Sequence, residues 1–173
     1  MDCFVSFPHL SWTADDGPAR ISGMKQVYQI IDVTDTNGKV IELKWLLGAE
    51  SVHRQLRPHL SHSYVEQMER IFSSGARMSI VRDDTDVVGV AVYRIYENTC
   101  DGMMMYVDDL VTDEAKRSTG AGKLLLDYLQ VLSRAANCKH FKLDSGTHRL
   151  QAHKFYFREG MVIQAFHFLK ALR

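Results

Sequence analysis

The stretch Leu110-Val111-Thr112-Asp113-Glu114-Ala115-Lys116-Arg117-Ser118-Thr119-Gly120-Ala121-Gly122-Lys123 decides how this chain is read. An apolar β-type segment ends near Thr112, a short polar loop follows, and two glycines stand where a long helix begins. The first amides of a helix lack intrahelical partners, and the helix dipole places partial positive charge on them. Glycines there let a bulky anion approach the backbone, and successive amides then point into one concavity that suits a pyrophosphate. Arg117 and Lys123 add positive charge, and Ser118 and Thr119 add hydroxyl donors. A Gly-x-Gly at a helix start also serves, in other chains, only to let strand and helix pack closely. Two nucleotide-binding alternatives fail on spacing. A P-loop needs Gly, four residues, then Gly-Lys-Ser/Thr, and none is present. A Rossmann fingerprint needs a glycine where Leu125 stands, and a strand near the start of the domain rather than several strands before the loop.

Upstream of the loop, Met78–Arg82, Val87–Tyr96 and Met103–Thr112 are β-branched, aromatic or methionine-rich runs separated by Asp83-Asp84-Thr85 and by Asn98–Gly102. Sequential strands with short turns predict an antiparallel meander. Earlier still, Gln26–Val33 reads as a strand ended by Asp35-Thr36-Asn37-Gly38. Leu43–Leu56 has helical spacing, Pro58 separates it from a second helix at Ser63–Phe72, and Ser63 with Glu66 has the spacing of a capping box. Downstream, Lys123–Ala136 places Leu125, Leu129, Leu132 and Ala136 on one helical face, with Asn137 as the stop. Phe141–Leu143 is a short strand, Leu150–Arg158 a helix ended by Gly160, and Met161–Leu169 is apolar enough for a closing strand or strand pair. The order predicts a mixed α/β sandwich with helices on both sheet faces and a parallel pair around the long helix.

The chain has 173 residues and 46% apolar residues, enough for one domain with a buried core. Lys+Arg and Asp+Glu both total 21, so the chain lacks the basic field of a general nucleic-acid binder. Cys3, Cys100 and Cys138 have neither metal-ligand nor redox spacing and read as reduced thiols. No apolar run approaches the roughly 18 residues of a membrane span, and Met1–Leu10 makes a poor signal peptide, so a cytoplasmic location is expected. Residues 1–25 carry Phe4, Val5, Phe7, Leu10 and Trp12, too apolar for a typical disordered tail. They read as an arm that packs on its own domain or on a second copy in a homodimer, with Met24 as an alternative start, before a domain spanning 26–173.

Arg117-x-x-Gly120-x-Gly122 after an apolar strand resembles the acyl-CoA pyrophosphate motif of the GNAT superfamily of N-acyltransferases. Val107-Asp108-Asp109-Leu110-Val111-Thr112 is similar to that family's fourth strand, and Ala152-His153-Lys154-Phe155-Tyr156-Phe157-Arg158-Glu159-Gly160-Met161 to its Ala-x-x-Phe-Tyr-x-x-x-Gly-Phe signature. The resemblance covers Met78 to Leu169 well and Gln26–Phe72 in outline. It implies a mostly antiparallel sheet of about six to seven strands flanked by about four helices. It implies acetyl-CoA as co-substrate, no metal, and an amine-bearing acceptor, small molecule or protein, with neither nucleic acid nor membrane as partner. The backbone of Leu110, Val111 and Thr112 would pair with pantetheine like an added strand. One amide near Leu110 or Val111 would face the thioester oxygen. The amides of Arg117, Ser118, Thr119, Gly120, Ala121 and Gly122, with Lys123, would hold the pyrophosphate. Where the family often carries a cofactor-contacting Asn, this chain has Arg149, with Thr147 and His148 as polar neighbours. Ser118 stands where the family commonly has Gly, a change that asks more of the loop backbone.

Acyl transfer to an amine needs a neutral nucleophile, a donor for the developing oxyanion, and a proton for the leaving thiolate. Tyr156 is the candidate acid, because a phenol stays protonated at neutral pH. Its plain alternative is an aromatic patch, Phe155-Tyr156-Phe157, on a helix. Asp108 and Asp109 are candidates for the base, through a water, or for holding a cationic substrate such as a polyamine, an aminoglycoside or a lysine. Adjacent strand residues face opposite ways, so only one is expected in the site unless a bulge intervenes. His53, His59 and His62 lie between the two early helices, where the resemblance implies an acceptor pocket. They read as exposed residues at helix ends, with a substrate-pocket role as the alternative, and Met103-Met104-Met105 as core and channel lining. A non-catalytic acyl-CoA-binding or protein-interaction module on the same fold is the competing expectation.

Overall fold

The computed structural model describes residues 27–172. The arm at 1–25, with Cys3, lies outside them. The elements in chain order are β1 (Gln29–Asp32), α1 (Leu43–Leu56), α2 (Tyr64–Ser73), β2 (Ala76–Arg82), β3 (Val87–Asn98), β4 (Gly102–Thr112), a single 3-10 turn at Glu114–Lys116, α3 (Ala121–Ala135), β5 (His140–Leu143) and α4 (Leu150–Arg158). The strands form one sheet in the order β1-β2-β3-β4-β5. The first three pairings are antiparallel, and β4 pairs with β5 in parallel after the α3 crossover.

The central position of β3 follows from its sequence. Val87 to Tyr93 are buried without alternation, as a strand covered on both faces requires. On one face Met78, Ile80, Val90 and Val92 pack with Leu46, Ala49, Val52, Tyr64, Met68 and Phe72 of α1 and α2. On the other, Val81, Ala91, Tyr93, Met105 and Val107 pack with Leu124, Leu125, Tyr128 and Leu129 of α3. The helices therefore lie on both faces, as expected. Asn137 ends α3 in the left-handed region at φ 56°, which its short polar side chain tolerates.

Three local expectations are corrected. Among the described residues the sheet has five strands rather than about six to seven. Met161–Leu169, expected as a closing strand or strand pair, forms none. A strand needs a partner backbone, and this apolar segment meets none among the described residues. Ser63 precedes α2 but makes no side-chain cap, because its ψ of 69° is short of the extended value that aims a serine hydroxyl at the helix amides. Gln67 instead reaches back to the Ser61 amide at 2.6 Å, and Ser61 Oγ accepts from the Ser63 amide at 3.2 Å. No described helix is long and apolar enough to cross a membrane.

Candidate active site

The glycine loop leaves β4 at Thr112 and enters α3 through Gly120. Asp113 Oδ1 accepts from the Ala115 amide at 3.1 Å and starts the 3-10 turn. Lys116 is drawn to Asp83 at 2.8 Å, and that lysine hydrogen bond, above all, holds the Asp83 carboxyl down at about 2. Thr119 Oγ accepts from the Tyr28 hydroxyl at 2.7 Å and donates to the Lys116 carbonyl at 2.6 Å, so its hydroxyl is used within the loop. Gly120 has φ +99°, and a Cβ there would meet nothing within 4 Å. Its requirement is therefore conformational, and the space beside it is open. A Cβ on Gly122 would lie 3.3 Å from the Thr112 methyl, which brings α3 close against the end of β4. The open space beside Gly120 lies at the head of a 15-residue helix, whose first amides lack intrahelical partners.

The two cations of the loop have different surroundings. Lys123 is engaged by Asp127 at 2.9 Å and Glu159 at 3.2 Å, although half its side chain faces water and such pairs are weak. Arg117 is exposed and makes no ion pair among the described residues. Ser118 sits at φ 64°, the left-handed strain expected for a residue replacing glycine. Ser118→Gly is expected to stabilise the fold by about 0.5–1 kcal/mol, net of the entropy glycine adds to the unfolded chain. The check is differential scanning calorimetry, which should show a rise of about 1–4 °C.

β4 supplies the second part. Its parallel pairing with β5 covers Met104 to Val107 and stops, while β4 runs on to Thr112. Its edge beyond Val107 therefore has no strand partner on that side among the described residues. The β3–β4 register shifts here: Val92 pairs with Asp109 and Tyr93 with Val107, which leaves Asp108 as the extra, bulged residue. Bulges re-aim side chains. Asp108 and Asp109 consequently both line one cleft of about 100 Å³, with Val107, Leu110, Arg149 and Tyr156. The bulge condition is met, and both acids line this cleft.

Neither acid is unattached. Asp109 accepts from Arg57 Nε at 2.7 Å and from His53 Nε2 at 2.9 Å. His53 Nδ1 lies 3.0 Å from the Tyr64 hydroxyl. Burial drives the Tyr64 phenol above its usual range, so it keeps its proton and donates to Nδ1; Nε2–H then donates to the carboxylate. Burial raises the Asp109 pKa, but the His53 and Arg57 hydrogen bonds outweigh it and leave the carboxyl below the usual range. Asp108 Oδ2 accepts from Arg94 Nε at 2.7 Å, and Arg94 Nη1 donates to the Ser74 carbonyl at 2.8 Å. Tyr156 is half-buried on α4, and burial raises its pKa more than Arg149 lowers it.

His53 corrects the sequence reading. It is 1% exposed rather than at an exposed helix end, whereas His59 and His62 are exposed. The signal was present, since His53 follows Leu46 and Ala49 at helical spacing on the buried face of α1. Arg57 and Arg94 were missed because nothing local marks an arginine that reaches another element. Met104 and Met105 are core, as expected.

With this geometry, the chain belongs to the acetyltransferase (GNAT) family, whose model matches residues 41–161. A Bacillus subtilis (strain 168) protein, the uncharacterized N-acetyltransferase YhdJ, is 34% identical over 94 residues, 46% of this chain and 66% of that protein. The alignment thus spans just under two thirds of that relative. Two solved structures share the fold. An acetyltransferase of Trypanosoma brucei is 20% identical with a TM-score of 0.66, covering 84% of this chain and 99% of its own. The aminoglycoside N-acetyltransferase AAC(6')-Iy, in complex with CoA, is 16% identical with a TM-score of 0.72, covering 88% of this chain and 99% of its own. The family so matched is one of acetyltransferases.

Proposed function

We propose that this protein transfers an acetyl group from acetyl-CoA to a primary amine, on a small molecule or a protein, by direct attack in a ternary complex. The observation that carries this reading is the cleft itself. Tyr156, the bulged pair Asp108 and Asp109, and the unpaired edge of β4 line one cavity, and that edge runs on to the glycine loop. In this reading the amides of 117–122 and the Arg117 guanidinium hold the pyrophosphate, and the backbone of Leu110 to Thr112 pairs with pantetheine. Arg149 lies beside Tyr156 in the cleft and takes the polar contact that an asparagine would make.

The amine nitrogen forms the new bond to the acetyl carbon as the C–S bond breaks. The Tyr156 hydroxyl gives its proton to the departing sulfur, and the surplus amine proton leaves through water. Asp108 is better suited than Asp109 to accept that proton, because its side chain is 28% exposed against 12% and it has one cationic partner. Asp109 serves as the support that holds α1 to the bulge. Asp108, Asp109 and Asp144 around the cleft support an acceptor that carries positive charge.

Tyr156→Phe tests the acid. Turnover is expected to fall about 100-fold while the Kd for acetyl-CoA, measured by calorimetry, changes less than about threefold. An unchanged rate removes Tyr156 from the mechanism.

A further inference from the structure

In the glycine loop Ser118, a residue with a side chain, is held in the left-handed region at φ 64°. Strain of that kind persists only where the surroundings over-determine the backbone. Here the residues on either side of Ser118 are tied to other parts of the fold. Two residues before it, Lys116 pairs with Asp83 at 2.8 Å, and the Lys116 amide bonds the Asp113 carbonyl at 2.9 Å. One residue after it, Thr119 Oγ accepts from the Tyr28 hydroxyl at 2.7 Å and donates to the Lys116 carbonyl at 2.6 Å. At the start of the loop, Gln55 of α1 donates to Asp113 Oδ1 at 3.2 Å and accepts from the Glu114 amide at 2.9 Å.

Tyr28 is the tie that reaches furthest. It immediately precedes β1 and lies 91 residues from Thr119 in the chain. Its ring packs against the core that holds Leu124, Leu125 and Tyr128 of α3. A ring fixed in the core gives its hydroxyl a fixed position, so the bond to Thr119 restrains the exposed loop. Thr119 passes that restraint to the Lys116 carbonyl and closes a short arc around Ser118, with Gly120 next in line. Four residues after Tyr28, Asp32 accepts from the Tyr128 hydroxyl of α3 at 2.6 Å. The start of the sheet therefore fastens α3 twice, once at its middle and once through the loop ahead of it. The first bond joins elements already packed together. The second holds a strained backbone.

We propose that Tyr28 is a positioning residue for acetyl-CoA, which through Thr119 holds residues 116–120 in the form that presents the loop amides to the pyrophosphate. This role rests on the reading that the amides of 117–122 bind that group. Without the Tyr28 hydroxyl the arc can relax at Ser118, and the binding form becomes a fraction of the population. The apparent affinity falls by that fraction.

The test is calorimetric titration of the full chain with acetyl-CoA, with thermal unfolding alongside. Tyr28→Phe is expected to raise the Kd about three- to tenfold, the effect of one net hydrogen bond. Thr119→Val should lose at least as much, and Thr119→Ser, which keeps the hydroxyl, should restore the affinity of the parent. Both residues act through one bond, so adding Tyr28→Phe to Thr119→Val should cost nothing further. Tyr128→Phe removes the Asp32 bond and should lower Tm with the Kd unchanged. An unchanged Kd in Tyr28→Phe overturns the proposal, as do additive losses in the double variant or an equal loss in Tyr128→Phe. Gly120→Glu separates this role from the reading beneath it. Affinity lost there but intact in Tyr28→Phe removes Tyr28 and leaves the loop in place. Intact affinity in Gly120→Glu, or no binding by the parent chain, removes the loop and Tyr28 with it.

Discussion

Gly120→Glu is expected to leave the protein folded while raising the Kd for acetyl-CoA on the order of a thousandfold. The two halves of that expectation have separate causes. A Cβ at Gly120 meets open space, so no neighbour must move. The φ of +99° is a left-handed conformation that a side chain occupies at a cost of about 1–2 kcal/mol. In a chain of this size that is a fall of about 2–8 °C in Tm. A carboxylate at a helix N-terminus even recovers part of that cost from the dipole. The same carboxylate, however, fills the concavity and sets negative charge where the pyrophosphate must lie. Charge-assisted hydrogen bonds from loop amides are worth about 1.5–3 kcal/mol each, so losing two accounts for the predicted factor. Gly120→Ala separates the causes, since it carries the backbone strain without the charge and should lose much less affinity. Calorimetric titration and thermal unfolding of both variants measure the two halves. Intact affinity in Gly120→Glu removes the loop from the binding site.

Asp109→Ala is expected to be the most destabilising single change at the cleft. Its carboxylate is bound by Arg57 and His53, and the His53 ring is buried between it and Tyr64. The buried His53 hydrogen bond to this carboxylate is worth about 1.5–3 kcal/mol, and the Arg57 pair adds less because that guanidinium is 42% exposed. Asp109→Asn keeps the shape and removes the charge, and it addresses the pH dependence. The folded pKa of Asp109 is depressed, so its contribution is fully present above the unfolded value of about 3.9 and is lost as pH falls through the folded pKa. Urea unfolding between about pH 3 and 7 should therefore show a shallower loss of stability on acidification in Asp109→Asn than in the parent. An identical acid limb in both proteins means Asp109 gains nothing from its partners.

Much of this was legible in the sequence, and the parts that were not share a cause. The helices at Leu43–Leu56 and Leu150–Arg158 appear with the bounds read from their spacing, because periodicity and local stops determine them. The glycine loop was readable because its chemistry is backbone chemistry, set by Gly120, Gly122 and the helix they head. Even the strain at Ser118 was foreseeable from a residue standing where glycine is common. The bulge at Asp108 was only a condition in the sequence, since register depends on the facing strand, and the shift sits between Val92 and Tyr93. Arg57 and Arg94 depend on contacts between α1, β3 and β4 that no local pattern encodes, whereas the buried place of His53 was legible in the helical spacing of α1. The closing strand failed for the complementary reason. Its pattern was strand-like, but a strand is completed by a partner edge, and residues 161–172 meet none among the described residues.

The pairing of both acids also changes how the cleft is understood. Asp109 is held by two donors and supports the wall, while Asp108, at the bulge, retains access to water. The two neighbouring carboxylates thus have different surroundings. That division follows from one inserted residue in β4, which turns two consecutive side chains toward the same cavity.

The central claim is acyl transfer from acetyl-CoA to an amine, and mass spectrometry over a panel of amines tests it most directly. The panel should span polyamines, aminoglycosides and lysine peptides, incubated with acetyl-CoA and the full chain. The account predicts that at least one cationic amine gains a single acetyl group, with free CoA thiol released in equal amount and both rates falling about 100-fold in Tyr156→Phe. Tight acetyl-CoA binding without an acetylated amine anywhere in the panel would contradict it and leave a binding module in its place.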